Sequence, residues 1–290
     1  MRTGRGSAGR SGLLGGLALL AGLVGQLTPA RAKADKPPAP VKVKAVFADV
    51  GGLNAEVNAL QVLRGLGPTP AQLEALRNLS AKTMQEAPLR KLVKVSERYR
   101  KALRGLREAL LSGDDETTDE MFATVEELGR QEAPELEEME LTDAARRHAI
   151  KLVQALSARQ VAGYLATVAD FPDPYGQLLA ACEASRKLRG ARWDDHRDDV
   201  AYLAGWLIAG VDAKKEAKAR EKAAALLDKA HRMSAKEYAA GRTALAREVR
   251  QLIGELGPTD VLRHYMERVV AELLSNYRLA TAVEAWKKRG

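Results

Sequence analysis

One cysteine, Cys182, stands in 290 residues, and aromatic side chains make up only 4% of the chain. A disulfide scaffold is therefore excluded, because Cys182 has no partner thiol within the chain. Scarce strand-favouring aromatics, with Ala, Leu, Glu, Lys and Arg dominant, disfavour an all-β fold. No phosphate-cradling glycine loop, Gly-x-Ser-x-Gly elbow or zinc-helix signature occurs. Nothing in the sequence places two carboxylates across a cleft. These gaps point to a non-enzymatic protein that needs no cofactor. The longest apolar run of the C-terminal half, Val200 to Val211, has twelve residues between Asp199 and Asp212. That suits a buried core helix and is too short for a membrane span. With 46% hydrophobic and 29% charged residues, the chain has enough apolar content to fold rather than stay disordered. Its length allows one large or two small domains.

The N-terminus carries a secretory pattern over residues 1–32. Arg2, Arg5 and Arg10 form a positive segment, Leu13 to Val24 is the apolar core, and Ala30-Arg31-Ala32 is a small-x-small cleavage site. Cleavage near Ala32 implies a periplasmic or secreted protein with no transmembrane span. It also removes four arginines and no acid, so the net charge falls from +8 to +4. A nucleic-acid partner loses its electrostatic basis with them. Residues 33–52 form a lead-in, with the proline-rich Lys36-Pro37-Pro38-Ala39-Pro40 as a stiff tether. Val41-Lys42-Val43-Lys44 alternates like a strand, but no second strand is evident, so it reads as an extended arm.

From Leu53 the apolar period is helical, and about nine helices and no sheet are expected. Phe171-Pro172-Asp173-Pro174 is the strongest break. It divides the reading into two helical subdomains, 53–170 and 171–290. In the first, a long helix is expected to turn Leu89, Leu92, Tyr99, Leu103, Leu106 and Leu110 inward. It ends at Ser112-Gly113-Asp114, and Thr117-x-x-Glu120 opens the next helix. From Lys82 to Arg107 there are nine basic and two acidic residues; from Asp114 to Glu140 there are twelve acids against Arg130. The two halves of this antiparallel hairpin are expected to attract and so set their register. Thr142, Ser157, Asp212 and Ser234 each read as helix caps. Leu256-Gly257-Pro258-Thr259 repeats Leu66-Gly67-Pro68-Thr69 letter for letter.

Two capping-box motifs flank the hairpin: Thr69-Pro70-Ala71-Gln72 and Ser157-Ala158-Arg159-Gln160. With Pro68 and Leu156 before them, they resemble the paired Leu-Thr-x-x-Gln motifs of the LTXXQ family. These are helical proteins of the periplasm that include the Spy-type chaperone, envelope-stress regulators and metal sensors. The resemblance spans about residues 50–168; Pro68 replaces the first Leu and Ser157 the second Thr. It implies a helical cradle that binds unfolded or envelope proteins, often as a dimer, with Thr69, Gln72, Ser157 and Gln160 as motif residues. The chain's own oligomeric state is not legible. Lys91, Lys94, Arg98, Lys101 and Arg104 are candidates for a basic client-binding rim. Pairing with the acidic segment is the rival role for them.

Asp195, His196 and Asp199 are the only weak candidates for a metal, but His196 lies about 100° around a helix from Asp195, so they converge poorly. His148, His231 and His264 stand singly and suit surface or capping roles. Cys182 reads as a small buried hydrophobe. Three functions remain open: holding of unfolded polypeptides, a structural scaffold whose apolar stripes are consumed internally, and a metal-responsive sensor.

Overall fold

The structure is a computed structural model, and it describes residues 45–48, 50–83, 93–132, 141–167 and 173–289. The leader, most of the lead-in with Val41 to Lys44, Leu89, Leu92 and the Phe171 break lie outside those residues. Helices start where a side chain can satisfy the orphan N–H groups of a first turn. Thr142, Ser157, Asp212 and Ser234 each accept such a bond, as the sequence predicts. The described residues form twelve helices: α1 Val50–Leu66, α2 Pro70–Thr83, α3 Glu97–Ser112, α4 Asp115–Glu132, α5 Asp143–Gln154, α6 Ala158–Leu165, α7 Pro174–Ser185, α8 Ala191–Ala209, α9 Ala213–Arg232, α10 Ala235–Ile253, α11 Pro258–Ser275 and α12 Leu279–Lys287.

The all-α class holds, while the count of nine and the subdomain layout do not. Gly190 (φ 57°) and Asn276 mark breaks, between α7 and α8 and between α11 and α12. A short antiparallel ribbon also forms, β1 Ala45–Ala48 with β2 Val93–Ser96, pairing Ala45 with Ser96 and Val46 with Val95. An extended segment within the lead-in, just after Val41 to Lys44, therefore does have a partner. The expected long helix starts only at Glu97, because Ser96 is extended and its hydroxyl accepts the Tyr99 N–H at 3.0 Å. At the hairpin turn Gly113 adopts φ 81°, the left-handed conformation that closes α3. The residue that opens α4 is Asp114, not Thr117: its carboxylate accepts both the N–H and the hydroxyl of Thr117.

Apolar side chains gather into two main clusters that do not separate at residue 171. The larger takes Leu60 and Leu63 from α1, Leu73 from α2, Ala145 from α5 and Tyr164 from α6. It is completed by Trp206 and Leu207 at the end of α8, Met266 and Val269 from α11, and Val283 from α12. The second is confined to α7–α10, with Leu178, Cys182, Trp193, Leu227, Leu245 and Val249. The last two helices thus close on the first, and α8 runs from one cluster into the other. A smaller group seals α3 and α4 at their open end with Tyr99, Leu103 and Leu128.

Candidate functional site

The two motifs are 88 residues apart in sequence and meet in space. Gln72 Oε1 accepts the Thr69 N–H at 2.9 Å, and the Gln72 N–H returns to Thr69 Oγ1 at 3.3 Å. Ser157 and Gln160 do the same at 3.0 and 3.3 Å. The amides then clasp one another. Gln160 Nε2 donates to Gln72 Oε1 at 2.8 Å, and Gln72 Nε2 to Gln160 Oε1 at 3.3 Å. Each also reaches the backbone of the other's loop, Gln160 to the Gly67 carbonyl and Gln72 to that of Ala155, both at 3.4 Å. Behind the clasp the end of α1 lies against α6 closely enough that a Cβ on Gly163 would sit 3.2 Å from the Gly65 carbonyl oxygen. The arrangement is a joint between two helix starts, and its polar atoms are spent on each other.

Of the basic-rim residues, Arg98, Lys101 and Arg104 stand exposed at three-residue spacing on α3. The side chains of Lys91 and Lys94 lie outside the described residues. Neighbouring cations are committed elsewhere: Arg100 to Glu97 of its own helix at 2.6 Å, and Arg107 to Glu56 of α1 at 2.7 Å. The acidic helix α4 receives its cation from α1, where Arg64 pairs with Asp115 and donates to Thr118 Oγ1 at 2.7 Å. Among the described residues no base of α3 pairs with an acid of α4; Arg90, Lys91 and the acids from Glu135 to Glu140 lie outside them. The helices do lie side by side, joined by an apolar seam of Leu103, Leu106 and Leu110 with Phe122 and Leu128. Burial of a Leu is worth about 1.5–3 kcal/mol and an exposed ion pair about 0–1, so the seam faces inward and the charges outward.

The metal candidates are separated by the helix that carries them. His196 turns inward, its Nε2 3.4 Å from the Ala181 carbonyl oxygen, whereas Asp195 is exposed and Asp199 half-buried. Among the described residues no group of three or more His, Cys, Asp or Glu side chains is placed to hold a metal ion. His231 stacks on Trp193 with ring centres 4.0 Å apart, and its Nδ1 lies 2.7 Å from the Ser185 carbonyl oxygen. His264 Nδ1 is 2.9 Å from that of Leu207. Cys182 is fully buried, and burial, with Glu248 adding to it, pushes its thiol up to about 12. An open groove of about 590 Å³ lies at the α9–α10 elbow, lined by Asp228, Lys229, Arg232, Met233 and Glu237. Three of its four charges are taken: Lys229 by Glu248 at 2.6 Å, Asp228 by Arg197 at 3.9 Å and Glu237 by the Ser234 N–H at 2.8 Å.

Sequence reasoning missed the buried charges. Glu216 on α9 receives Arg146 of α5 on one oxygen at 2.9 Å and Arg268 of α11 on the other at 3.3 Å. Arg268, only 3% exposed, also pairs with Glu272 at 2.7 Å, donates to the Tyr202 hydroxyl and lies 5.0 Å over that ring. Glu56 is held in the same way, by Arg107 and by Arg278 at 3.1 Å, beside an Asn276 amide that donates to the Ala55 carbonyl at 2.7 Å. Glu267 is different. Burial raises its carboxyl above the ordinary range, with His264, Arg263 and the Val211 N–H opposing. In an Ala/Lys/Glu-rich helix Glu216 reads as a solvent-facing residue, and nothing local marks it otherwise. With each oxygen of Glu56 and Glu216 already accepting from a guanidinium, neither carboxylate is presented to a substrate. Comparison with protein-family models, with curated proteins and with solved structures finds no match.

Proposed function

We propose that the chain is an exported, non-catalytic helical scaffold of the bacterial cell envelope, acting through the surfaces it presents to partner proteins. The observation that carries this reading is how fully the apolar stripes close on one another. Among the residues whose side chains are described, Ile150 at 40% is the one large apolar side chain that stands exposed. Holding unfolded chains calls for contiguous unburied apolar area, of the kind that marks interaction sites. The secretory pattern at the N-terminus supports export. No described helix is long and apolar enough to cross a membrane.

Polypeptide holding in the Spy manner is the second reading, and the Gln72–Gln160 clasp favours it by joining the two motifs that carry the LTXXQ resemblance. Light scattering of an aggregating client, at low salt and with the protein in several-fold excess, separates the two. The scaffold reading expects aggregation to proceed unchanged and a fluorescent hydrophobic probe to stay dim on the native protein. Strong suppression with a bright probe replaces it with holding.

A further inference from the structure

We propose that the α7–α10 pair carries a binding site for a phosphate group, whose oxygens accept from the Arg186 and Arg242 guanidinium groups and from the Tyr238 hydroxyl. Arg186 follows the last turn of α7, and its guanidinium lies 4.6 Å over the ring of Tyr238 in the first turn of α10. Arg242, exposed, stands four residues further along α10, on the same side of that helix. Both cations act on the Tyr238 hydroxyl. Burial, with Cys182 and Glu183 adding to it, raises that phenol above its ordinary range, and Arg242 and Arg186 oppose them. Elsewhere in this protein a shielded arginine is met by carboxylates, as Arg268 is by Glu216 and Glu272. Arg186 departs from that pattern. Its Nε is shut off from solvent without a hydrogen-bond partner, and neither it nor Arg242 forms an ion pair with a described residue, although Glu183 lies one turn before Arg186. A shielded donor on a cation is costly until an acceptor reaches it.

The class of ligand follows from the donors and the field around them. From Arg186 to Arg192 the chain holds four cations and no acid. Lys187, Arg189 and Arg192 are exposed, and Arg189 turns its Nη1 to the carbonyls of Arg186 and Leu188 at 2.9 and 2.6 Å. Such a one-signed patch draws anions. Two guanidinium forks and a hydroxyl offer more donors than the two oxygens of a carboxylate can use. A phosphate monoester supplies three strong acceptor oxygens and close to two negative charges, which matches the pair of arginines. Inorganic phosphate and a lipid phosphate headgroup share that chemistry. A similar stack closes the other end of the same helix pair, Arg250 over Tyr175 at 5.2 Å, but Ala246 and Gly254 stand four residues to either side of Arg250. The site does not depend on the scaffold reading.

Nuclear magnetic resonance of arginine-labelled protein tests it, with sodium phosphate titrated against sodium chloride and sodium acetate at equal ionic strength. At about pH 8, where phosphate is doubly charged, phosphate should move the Arg186 Nε–H signal saturably, and chloride and acetate should not. Arg242→Gln, an exposed change, should weaken phosphate binding about tenfold. Tyr238→Phe keeps the ring beneath Arg186 and should weaken it less, while Arg250→Gln should leave it unchanged. Sedimentation with phosphatidylcholine vesicles that contain phosphatidic acid, reversed by free phosphate, assigns the site to a headgroup; a phosphate shift without sedimentation assigns it to a soluble phosphate. Either result upholds the site. A signal that responds to phosphate no more than to chloride or acetate overturns the proposal. So does an affinity that Arg242→Gln leaves intact or that Arg250→Gln lowers equally.

Discussion

The cluster of α7–α10 draws its buried side chains from Leu178 through Val249, one uninterrupted stretch. The larger cluster spans Val57 to Val283 and closes only when α11 and α12 return to α1 and α2. A contiguous unit can assemble as its helices emerge from short turns; a discontinuous one must first hold together a long intervening loop, at an entropic cost. The polar chemistry differs in step. Within the contiguous cluster the buried polar side chains are local, with Ser185 donating to the Cys182 carbonyl and His196 facing that of Ala181. At the seam and in the larger cluster, Glu216 and Glu56 each collect two arginines from distant helices, as Glu56 does with Arg278 across 222 residues. The lesson is that local packing here relies on apolar stripes and caps, while long-range closure is made directional by ion pairs. Whether such pairs add net stability is a separate matter, since desolvation offsets much of their attraction.

The largest expected effect is at that seam. Arg268→Ala leaves the buried Glu216 with Arg146 as its one guanidinium and takes a partner from the half-buried Glu272, and should cost about 3–5 kcal/mol by denaturant unfolding. Arg268→Met, which fills the space without a charge, should cost less; equal losses would show that the guanidinium acts mainly by its volume. Next come Leu63→Ala and Leu227→Ala, fully buried in the larger and smaller clusters, each worth about 2–5 kcal/mol. Thiol labelling of Cys182 distinguishes them, because its thiol is buried and held protonated in the native state. Leu227→Ala should accelerate labelling well beyond Leu63→Ala if α7–α10 opens as its own unit. Identical acceleration would mean that the two clusters unfold together.

Smaller effects sharpen the picture further. Gln160→Ala removes the clasp and its own capping box, for a loss of about 1 kcal/mol. Combined with Gln72→Ala, the total should fall short of the sum of the singles, since both amides serve one joint; strict additivity would show the clasp to be idle. The smallest effect is a pH dependence. Burial raises the Glu267 carboxyl, so the protonated form favours the folded state. That contribution is fully present below the ordinary carboxylate range and is lost as pH rises through the raised value. Glu267→Gln should therefore gain stability relative to the parent as pH climbs from about 4 towards 7. A constant difference across that window would refute the assignment.

Helix starts were the most legible feature, because a cap is settled within four residues. Thr142, Ser157, Asp212 and Ser234 needed nothing beyond their own first turn. The repeated Leu-Gly-Pro-Thr lettering marks two different caps, for an equally local reason. Thr69 caps α2, with Pro70 as the first helical residue, but at the second junction Gly257 occupies the cap and Pro258 opens α11. The structural repeat is Thr69-Pro70-Ala71-Gln72 against Gly257-Pro258-Thr259-Asp260, where Gln72 and Asp260 each accept the N–H of the capping residue. At the candidate site, both boxes could be read in advance, and their meeting could not. The same holds for the charged hairpin: the sign of each helix was evident, while the face each charge takes depended on which side the leucines chose.

Composition and period alone determined that this polypeptide is helical, where most of its rods begin, and that its greasy residues suffice to bury a core. Those properties follow from hydrogen bonds and side-chain spacing within a turn or two. Tertiary structure alone decided that α12 returns to α1, that Glu216 and Glu56 go inside, and that the opposite charges of the hairpin face solvent instead of each other. Each of those outcomes rests on a partner dozens to hundreds of residues away, and periodicity along one helix says nothing about which distant face will cover it.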